Sequence, residues 1–377
     1  MVDDLERDPL PADFIRKELE TRGLTQADLA FVLGVPQQAV NLIALGKRGI
    51  SADMARALGE VFQVPAERLL KLQKAAEVKA ELARARKPDP GIAQKARLIS
   101  TYPVREMIKR GWIDPDAPTL ESEITRFFGV SAMDELPHLA HAGKKTSYVN
   151  VPPAQLAWLF RVRQIAREMV VPEFSPNALR GVLERLRALL TAPEEARHVP
   201  RILAEVGVRF VIVESLPSAK IDGVCMWISA TSPVIGMSLR FDRIDNFWFV
   251  LRHEIEHVLN RDGIADAVID VDLSAEGGSA ADNLPPHESR ANGAASDFCV
   301  PTAQMDSWVA RKHPFYSERD LIGFAKRMQV HPGLVAGQLR NRTHNYKIFA
   351  RHLDKIRFSV TPSSVVDGWG QVAPVSA

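Results

Sequence analysis

Covalent cross-links do not organise this chain. Its two cysteines, Cys225 and Cys299, lie far apart and give no disulfide framework. An excess of one charge is missing too. Forty-eight basic against 46 acidic side chains leave a net charge of +2, which excludes a strongly basic body built to hold nucleic acid by charge alone. No apolar run is long enough to span a bilayer, and the opening MVDDLERDPL is acidic, unlike a signal peptide. A cytoplasmic protein with no membrane partner is therefore expected. What is present is ordinary for a globular chain: 46% hydrophobic and 25% charged residues, in a length of 377 that suggests two or three domains.

Helix breakers divide the chain. Residues 66–86 read as one long helix that stops before Lys87-Pro88-Asp89-Pro90-Gly91, the clearest boundary. Short helices follow over 92–135, and a softer boundary lies at 141–153. Helical patterns broken at Pro172, Pro176 and Pro193 fill 154–200. The period then changes. Val208–Val213, Val224–Ser229 and Val234–Ser238 are short, β-rich and bounded by Gly, Pro or Asp, and read as three strands. The expected divisions are 1–87, a helical connector over 88–150, a main domain over 151–352 and a tail over 353–377. After Phe358, Ser, Pro, Val and Gly predominate, which predicts a loosely held tail.

Immediately after the strands, an amphipathic run from Ile244 to Asn260 contains His253-Glu254-Ile255-Glu256-His257. Ile244, Phe247, Trp248, Leu251, Ile255, Val258 and Leu259 recur at helical spacing. Histidines four apart share one helix face and can hold one metal ion; Glu254 beside them can act as a base toward water there. The longer pattern HExxHxxGxxH is excluded, since Asn260 and Gly263 stand where it needs Gly and His. A third ligand must come from elsewhere. The stretch HESRANGAASDFCVP from His287 offers Glu288, with Ala291, Ala295 and Phe298 at helical spacing and small enough for close approach. His287, Glu276 and the aspartates of the intervening loop are the alternatives, and Asn292 could orient a ligand from behind. A water in the fourth position would make such a site catalytic.

Three stretches, YPVREMIKRGWI at 102–113, SLRFDRIDNFWFVLRHEIEH at 238–257 and HPGLVAGQLRNRT at 331–343, resemble the ImmA/IrrE family of zinc metallopeptidases. That resemblance spans roughly residues 95–345. It implies a zincin-like domain, Zn2+ on His253, His257 and Glu288, Glu254 as general base, and a helix-turn-helix repressor as the protein substrate. His331 and Arg252 are candidates for steadying a developing oxyanion. Cys299 stands where the family suggests an aliphatic residue, and reads as a buried structural thiol. Between His257 and Glu288, Asp262, Asp266, Asp270, Asp272, Glu276 and Asp282 have no Lys or Arg among them, as in a solvated loop or a lid that steers basic peptides.

The N-terminal part carries a second pattern. Thr25 is a plausible cap for a short helix, Gly34 takes a turn, and a second short helix runs from Pro36 to Leu45. Ala30, Gly34 and Val40 have helix-turn-helix spacing. Leu24, Leu29, Val32, Leu33, Ile43, Met54, Leu58 and Phe62 are expected to form its core. TQADLAFVLGVPQQAVNLIALGKRGISADMARALGEVF resembles the Cro/C1 (XRE) repressors, and within them the HigA antitoxins. The resemblance implies that Gln37, Gln38 and Asn41 read base edges of a double-stranded operator, that Lys47 and Arg48 meet phosphates, and that Thr25 and Gln26 lie at the DNA. The reading helix itself has no Lys or Arg, and residues 1–90 hold fourteen acids and fourteen bases, so a homodimer is expected for useful affinity.

The fold expected is α+β and mostly helical: an all-α helix-turn-helix domain, a helical middle region and a zincin-like domain with a small β-sheet. The function expected is a DNA-binding regulator with a zinc endopeptidase. The alternative is an antitoxin-like repressor whose zinc domain is structural or sensory.

Overall fold

The structure is a computed structural model that describes residues 10–84, 91–116, 119–131, 151–264, 267–271 and 284–368. It divides into two compact units, Met1–Pro90 and Gly91–Ala377.

The first unit is all helical: α1 (Pro11–Arg22), α2 (Gln26–Leu33), α3 (Gln37–Ala44), α4 (Ala52–Phe62) and α5 (Ala66–Arg84). Local chemistry sets the ends. The Thr25 hydroxyl accepts from Asp28 N–H, and the Asp28 carboxylate accepts from Thr25 N–H at 2.8 Å, a reciprocal capping box for α2. Gly34 closes α2 at a φ of 65°, where a side chain would be strained. Leu29, Ile43, Leu58 and Phe62 form the core with Phe14, Ile15 and Leu19 from α1. Val32 departs from expectation. It is 59% exposed, because short α2 turns only Leu29 and Ala30 fully inward.

The second unit is built on a mixed five-stranded sheet of order β4-β2-β3-β1-β5, with β1 (Arg209–Val213), β2 (Ile221–Trp227), β3 (Pro233–Met237), β4 (Val268–Val271) and β5 (Val365–Asp367). β1 lies parallel to β3 and β5; β2 is antiparallel to β3 and β4. The sequence gives β2 no alternation, and the reason is burial on both faces. Phe210, Ile212, Cys225, Trp227 and Ile235 face one core with α12 (Ile244–Leu259), whereas Val211, Val213, Val224, Met226 and Val234 face another with α9 (Pro153–Glu168).

The helices α6 (Gly91–Thr101), α7 (Val104–Lys109) and α8 (Leu120–Phe128) join the α9 side through Met107, Trp112, Ile124 and Phe127. Where a connector was expected over 88–150, residues 91–116 and 119–131 are thus a structural layer; residues 85–90, 117–118 and 132–150 lie outside the described residues. On the other face, α10 (Pro176–Ala188), α11 (Val199–Glu205), α13 (Pro286–Cys299), α14 (Thr302–Lys312), α15 (Glu318–Met328), α16 (Pro332–Thr343) and α17 (Arg357–Val360) surround α12 or extend its core.

The expected tail is also corrected. Asp367 in β5 is 4% exposed and accepts from Trp112 Nε1 at 2.8 Å and from Arg161 Nε, which ties the strand to the β1 edge. Residues 369–377 lie outside the described residues. Residues 340–357 hold six basic side chains, among them three engaged within the unit: Arg342 pairs with Asp306, Arg351 with Glu318, and Arg340 is buried. No helix among the described residues is long and apolar enough to cross a membrane.

Gly207 precedes β1 at a φ of 84°, and a Cβ there would collide with the backbone of Phe174. Gly207→Ala should therefore destabilise the second unit by about 2–4 kcal/mol and lower its melting temperature by roughly 5–10 °C. All six tryptophans lie at position 112 or beyond, so tryptophan emission follows this unit alone. An unchanged emission midpoint would show that the loop accommodates the side chain.

Candidate metal centre and nucleic-acid interface

Helix α12 carries its charged residues into the interior. His253, Glu254 and His257 are each 0% exposed. The sheet above them is shaped to admit Glu254. A β-bulge interrupts the β2–β4 pairing between Ile221 and Gly223, and a Cβ on Gly223 would collide with Glu254 Oε1 and Val250 Cγ1. Below, α13 packs on α12 through Ala291 and Ala295, both fully buried, as their size predicts. That close approach brings Glu288, in the first turn of α13, to the histidines.

Four side chains converge: His253, His257, Asp270 and Glu288 place one donor atom each within 4.8 Å of one another. His253 Nε2 lies 2.9 Å from His257 Nε2, 3.3 Å from Glu288 Oε2 and 3.3 Å from Asp270 Oδ1; His257 Nε2 lies 3.6 Å from Glu288 Oε1. A tetrahedral ion with bonds of about 2.1 Å separates its donors by about 3.4 Å, so this donor set fits zinc. The polar inventory agrees. Both oxygens of Glu254, Nδ1 of His253 and Oδ2 of Asp270 are buried without a hydrogen-bond partner.

Electrostatics follow from crowding. Burial opposes a charge on His253, but Asp270 and Glu288 outweigh it and raise the imidazole to about 9. Burial likewise opposes ionisation of Glu288, yet bonds from His253 and His257 hold its carboxyl well below the usual range. Glu254 goes the other way. Burial, then the charge of Asp270 and a hydrogen bond with it in the protonated form, then the charges of Glu288 and Asp222, push it well above its ordinary value. His257 Nδ1 lies 3.0 Å from Asp262 Oδ2, which Arg290 holds from the other side at 3.3 Å. Asp262, where the sequence suggested Asn292, is the side chain that holds the His257 ring.

Of the expected site residues, His253, Glu254, His257 and Glu288 come together. His331 does not. Its Nδ1 accepts from Gly333 N–H as the cap of α16, its Nε2 sits 3.2 Å from Asp354, and burial lowers its pKa. Gly333 lies against Ile244 at the start of α12, about 14 Å along the helix from His253 at 1.5 Å per residue. Arg252 is directed to Glu256 at 2.8 Å and over the Phe298 ring, away from the cluster. Asp270 was one among several loop aspartates in the sequence. Its register partner across the sheet is Gly223, which points it at α12. No periodic signal marked that four-residue strand. His287 stands beside the site, 3.3 Å from Glu288 Oε1, and Glu276, Asp266, Asp272 and Asp282 lie outside the described residues. Cys299 is buried, and burial pushes its thiol up to about 12, as befits a structural residue.

In the first unit, α3 buries Val40, Ile43 and Ala44 and leaves Gln37, Gln38 and Asn41 exposed on one outer face. Lys47 and Arg48 are exposed just after it, in a turn whose N–H groups both donate to Leu42 C=O. The Thr25 hydroxyl is engaged in the cap, and Gln26 is half-buried.

Residues 15–69 match the model of a helix-turn-helix family, so the chain carries a helix-turn-helix domain of the DNA-binding class. Among solved structures, the Pseudomonas aeruginosa antitoxin HigA with the higBA promoter is similar at 36% identity over 20% of this chain and 85% of that one, with a TM-score of 0.20. A hypothetical protein from E. coli is similar at 25% identity over 24% of this chain and 99% of that one, with a TM-score of 0.19. No curated protein matches the chain.

Zinc titrated into metal-free protein should bind at about one ion per chain. Glu288→Gln should lower that affinity at least tenfold, by roughly the loss expected for a ligand, while His331→Ala should leave it unchanged. Equal affinities for Glu288→Gln and the wild type would remove Glu288 from the ligand set.

Proposed function

We propose that this chain is a DNA-binding transcriptional regulator that carries a zinc-dependent endopeptidase. The observation that carries the second half is the convergence of His253, His257 and Glu288 around one centre with Glu254 beside it. Zinc bound there would supply a Lewis acid that polarises a carbonyl and makes water more acidic.

The chain's own residues would do the rest. His253 and His257, four apart on α12, fix the centre against a rigid helix, and Asp262 sets the ring of His257. Glu254 has both carboxylate oxygens free of partners, and burial keeps its affinity for a proton high. It would take a proton from water at one oxygen and deliver it to the leaving amine as the peptide C–N bond breaks; the hydroxyl of that water goes to the carbonyl carbon. The favoured substrate class is a helix-turn-helix repressor, a reading that rests on the family resemblance of residues 95–345. A cytoplasmic location and a homodimer on a two-fold operator complete the proposal.

The DNA half rests on the helix-turn-helix match over residues 15–69 and on the free amide face of α3. Gln37, Gln38 and Asn41 would meet base edges, with Lys47 and Arg48 on phosphates. The second reading, a repressor with a structural or sensory zinc domain, is favoured by one observation: a fourth protein side chain, Asp270, stands among the donors.

Glu254→Gln should retain zinc and native tryptophan emission but cut purified helix-turn-helix repressors at least a hundredfold more slowly than the wild type. Equal rates for the two proteins would refute Glu254 as the base. On DNA, Gln38→Ala should weaken a cognate duplex by roughly 1–3 kcal/mol and relax preference at one base pair, while scrambled DNA binds as before. Arg48→Ala should weaken both duplexes alike and make the salt slope shallower by about one unit. A salt-titrated binding assay distinguishes them, and equal losses on both duplexes for Gln38→Ala would dismiss α3 as the reading helix.

A further inference from the structure

We infer that Asp270 is a fourth protein ligand that closes the metal centre, and that this closed centre is a latched state opened by withdrawal of the Asp270 side chain. The inference rests on the zinc reading above and concerns what regulates that same site.

Three independent features support it. The first is distance. Asp270 Oδ1 is as near to His253 Nε2, at 3.3 Å, as Glu288 Oε2 is. Glu288 also stands 3.6 Å from His257 Nε2, so Asp270 approaches the donor set from the His253 side. The second is aim. Gly223 and Asp270 are directly opposed on β2 and β4, and opposed residues project to one face of a sheet. The bulge at Gly223 turns that face onto Glu254, so Asp270 is directed into the donor set by the sheet itself. It is 4% exposed, and its Oδ2 has no hydrogen-bond partner. Its Oδ1 faces His253, but a buried carboxylate oxygen left without a partner is costly, and a cation shared with the histidines satisfies the group.

The third is access. A hydrolytic centre needs one position for water and a path for a peptide carbonyl. Here His253, Glu254 and His257 are 0% exposed, and Asp270 stands in the remaining corner. With four protein ligands a tetrahedral ion has no open position, and Glu254 has nothing to deprotonate. The centre as built holds a metal and excludes substrate.

The latch sits on an edge strand of the sheet. β4 has four residues, pairs among the described residues with β2 alone, and has Val271 exposed and Val268 and Ile269 half-buried, whereas β2 is buried throughout. Loss of a few hydrogen bonds frees it without touching α12 or α13, which hold the other three ligands. Withdrawal of Asp270 leaves His253, His257 and Glu288 in place and one coordination position vacant.

The test is cobalt(II) substitution of the full chain, read by visible absorption, with acetohydroxamate as the probe for an open position. In the wild type the four-coordinate spectrum should hardly change at millimolar acetohydroxamate. In Asp270→Ala, and in the shape-preserving Asp270→Asn, the probe should shift the spectrum strongly, and zinc affinity should fall on the order of tenfold to a hundredfold. Tryptophan emission identifies any variant that has lost the fold, and either variant alone suffices. If the wild type responds to the probe as the variants do, Asp270 is no latch and the inference is overturned, while the metal reading stands. If zinc affinity and the spectrum are the same in all three proteins, Asp270 is no ligand and the inference is likewise overturned. Failure of the wild type to take up cobalt at all would overturn the metal reading, and the latch with it.

Discussion

Five ionisable groups are gathered where the second unit is driest, and their mutual compensation is the constraint around which its structure is arranged. Two imidazoles and three carboxyl groups from α12, α13 and β4 meet with almost no water to screen them. His253 faces Asp270 and Glu288, and His257 faces Glu288 and Asp262, so each imidazole has two carboxylates against it. That accounts for the local peculiarities: the bulge and glycine in β2 that admit Glu254, the alanines of α13 that bring Glu288 close, and Asp262 and Arg290 behind His257. Each would be arbitrary in an apolar core. Around this polar centre the unit has an ordinary hydrophobic frame, with the sheet covered on both faces and Trp248 and Phe247 filling the base of α12.

The first unit solves a simpler problem. It has no buried charge cluster among its described residues, and its helices are fixed by caps and a small apolar core. The outward face of α3 is therefore free of structural duty. Gln37, Gln38 and Asn41 can change without disturbing Val40 or Ile43 beneath them, so the identity of a bound sequence and the stability of the unit are separable.

Features that repeat along the chain could be read from it. The 3.6-residue period of Ile244–Leu259, the HExxH spacing within it, and the alanines after Glu288 were enough to find α12, α13 and three of the four converging donors. The helix-turn-helix followed from Thr25, Gly34 and the flanking apolar residues. What escaped was short or non-local. β4 and β5 have four and three residues, too few for a period, and each gains its place from a distant strand. Asp270 was therefore hidden among other aspartates, and β5 within an expected tail. His331 misled for a different reason: a histidine before Pro332 looks chemically available, but its ring nitrogen caps the following helix. Val32 fits the apolar pattern of α2, yet a helix of eight residues has too little inner face to bury it.

The clasp between Trp112, Arg161 and Asp367 sets a timetable for synthesis. Trp112 and Asp367 are 255 residues apart, and the strand that carries Asp367 covers the β1 edge. At roughly 5–20 residues per second on the ribosome, this separation takes on the order of 10–50 seconds to emerge. The first unit, whose contacts are local, can be complete well before then. During that interval the β1 edge stays open, Trp112 and Arg161 lack their acceptor, and long-range closure is still to come. A nascent chain would thus present a finished helix-turn-helix long before the β1 edge of its second unit is covered.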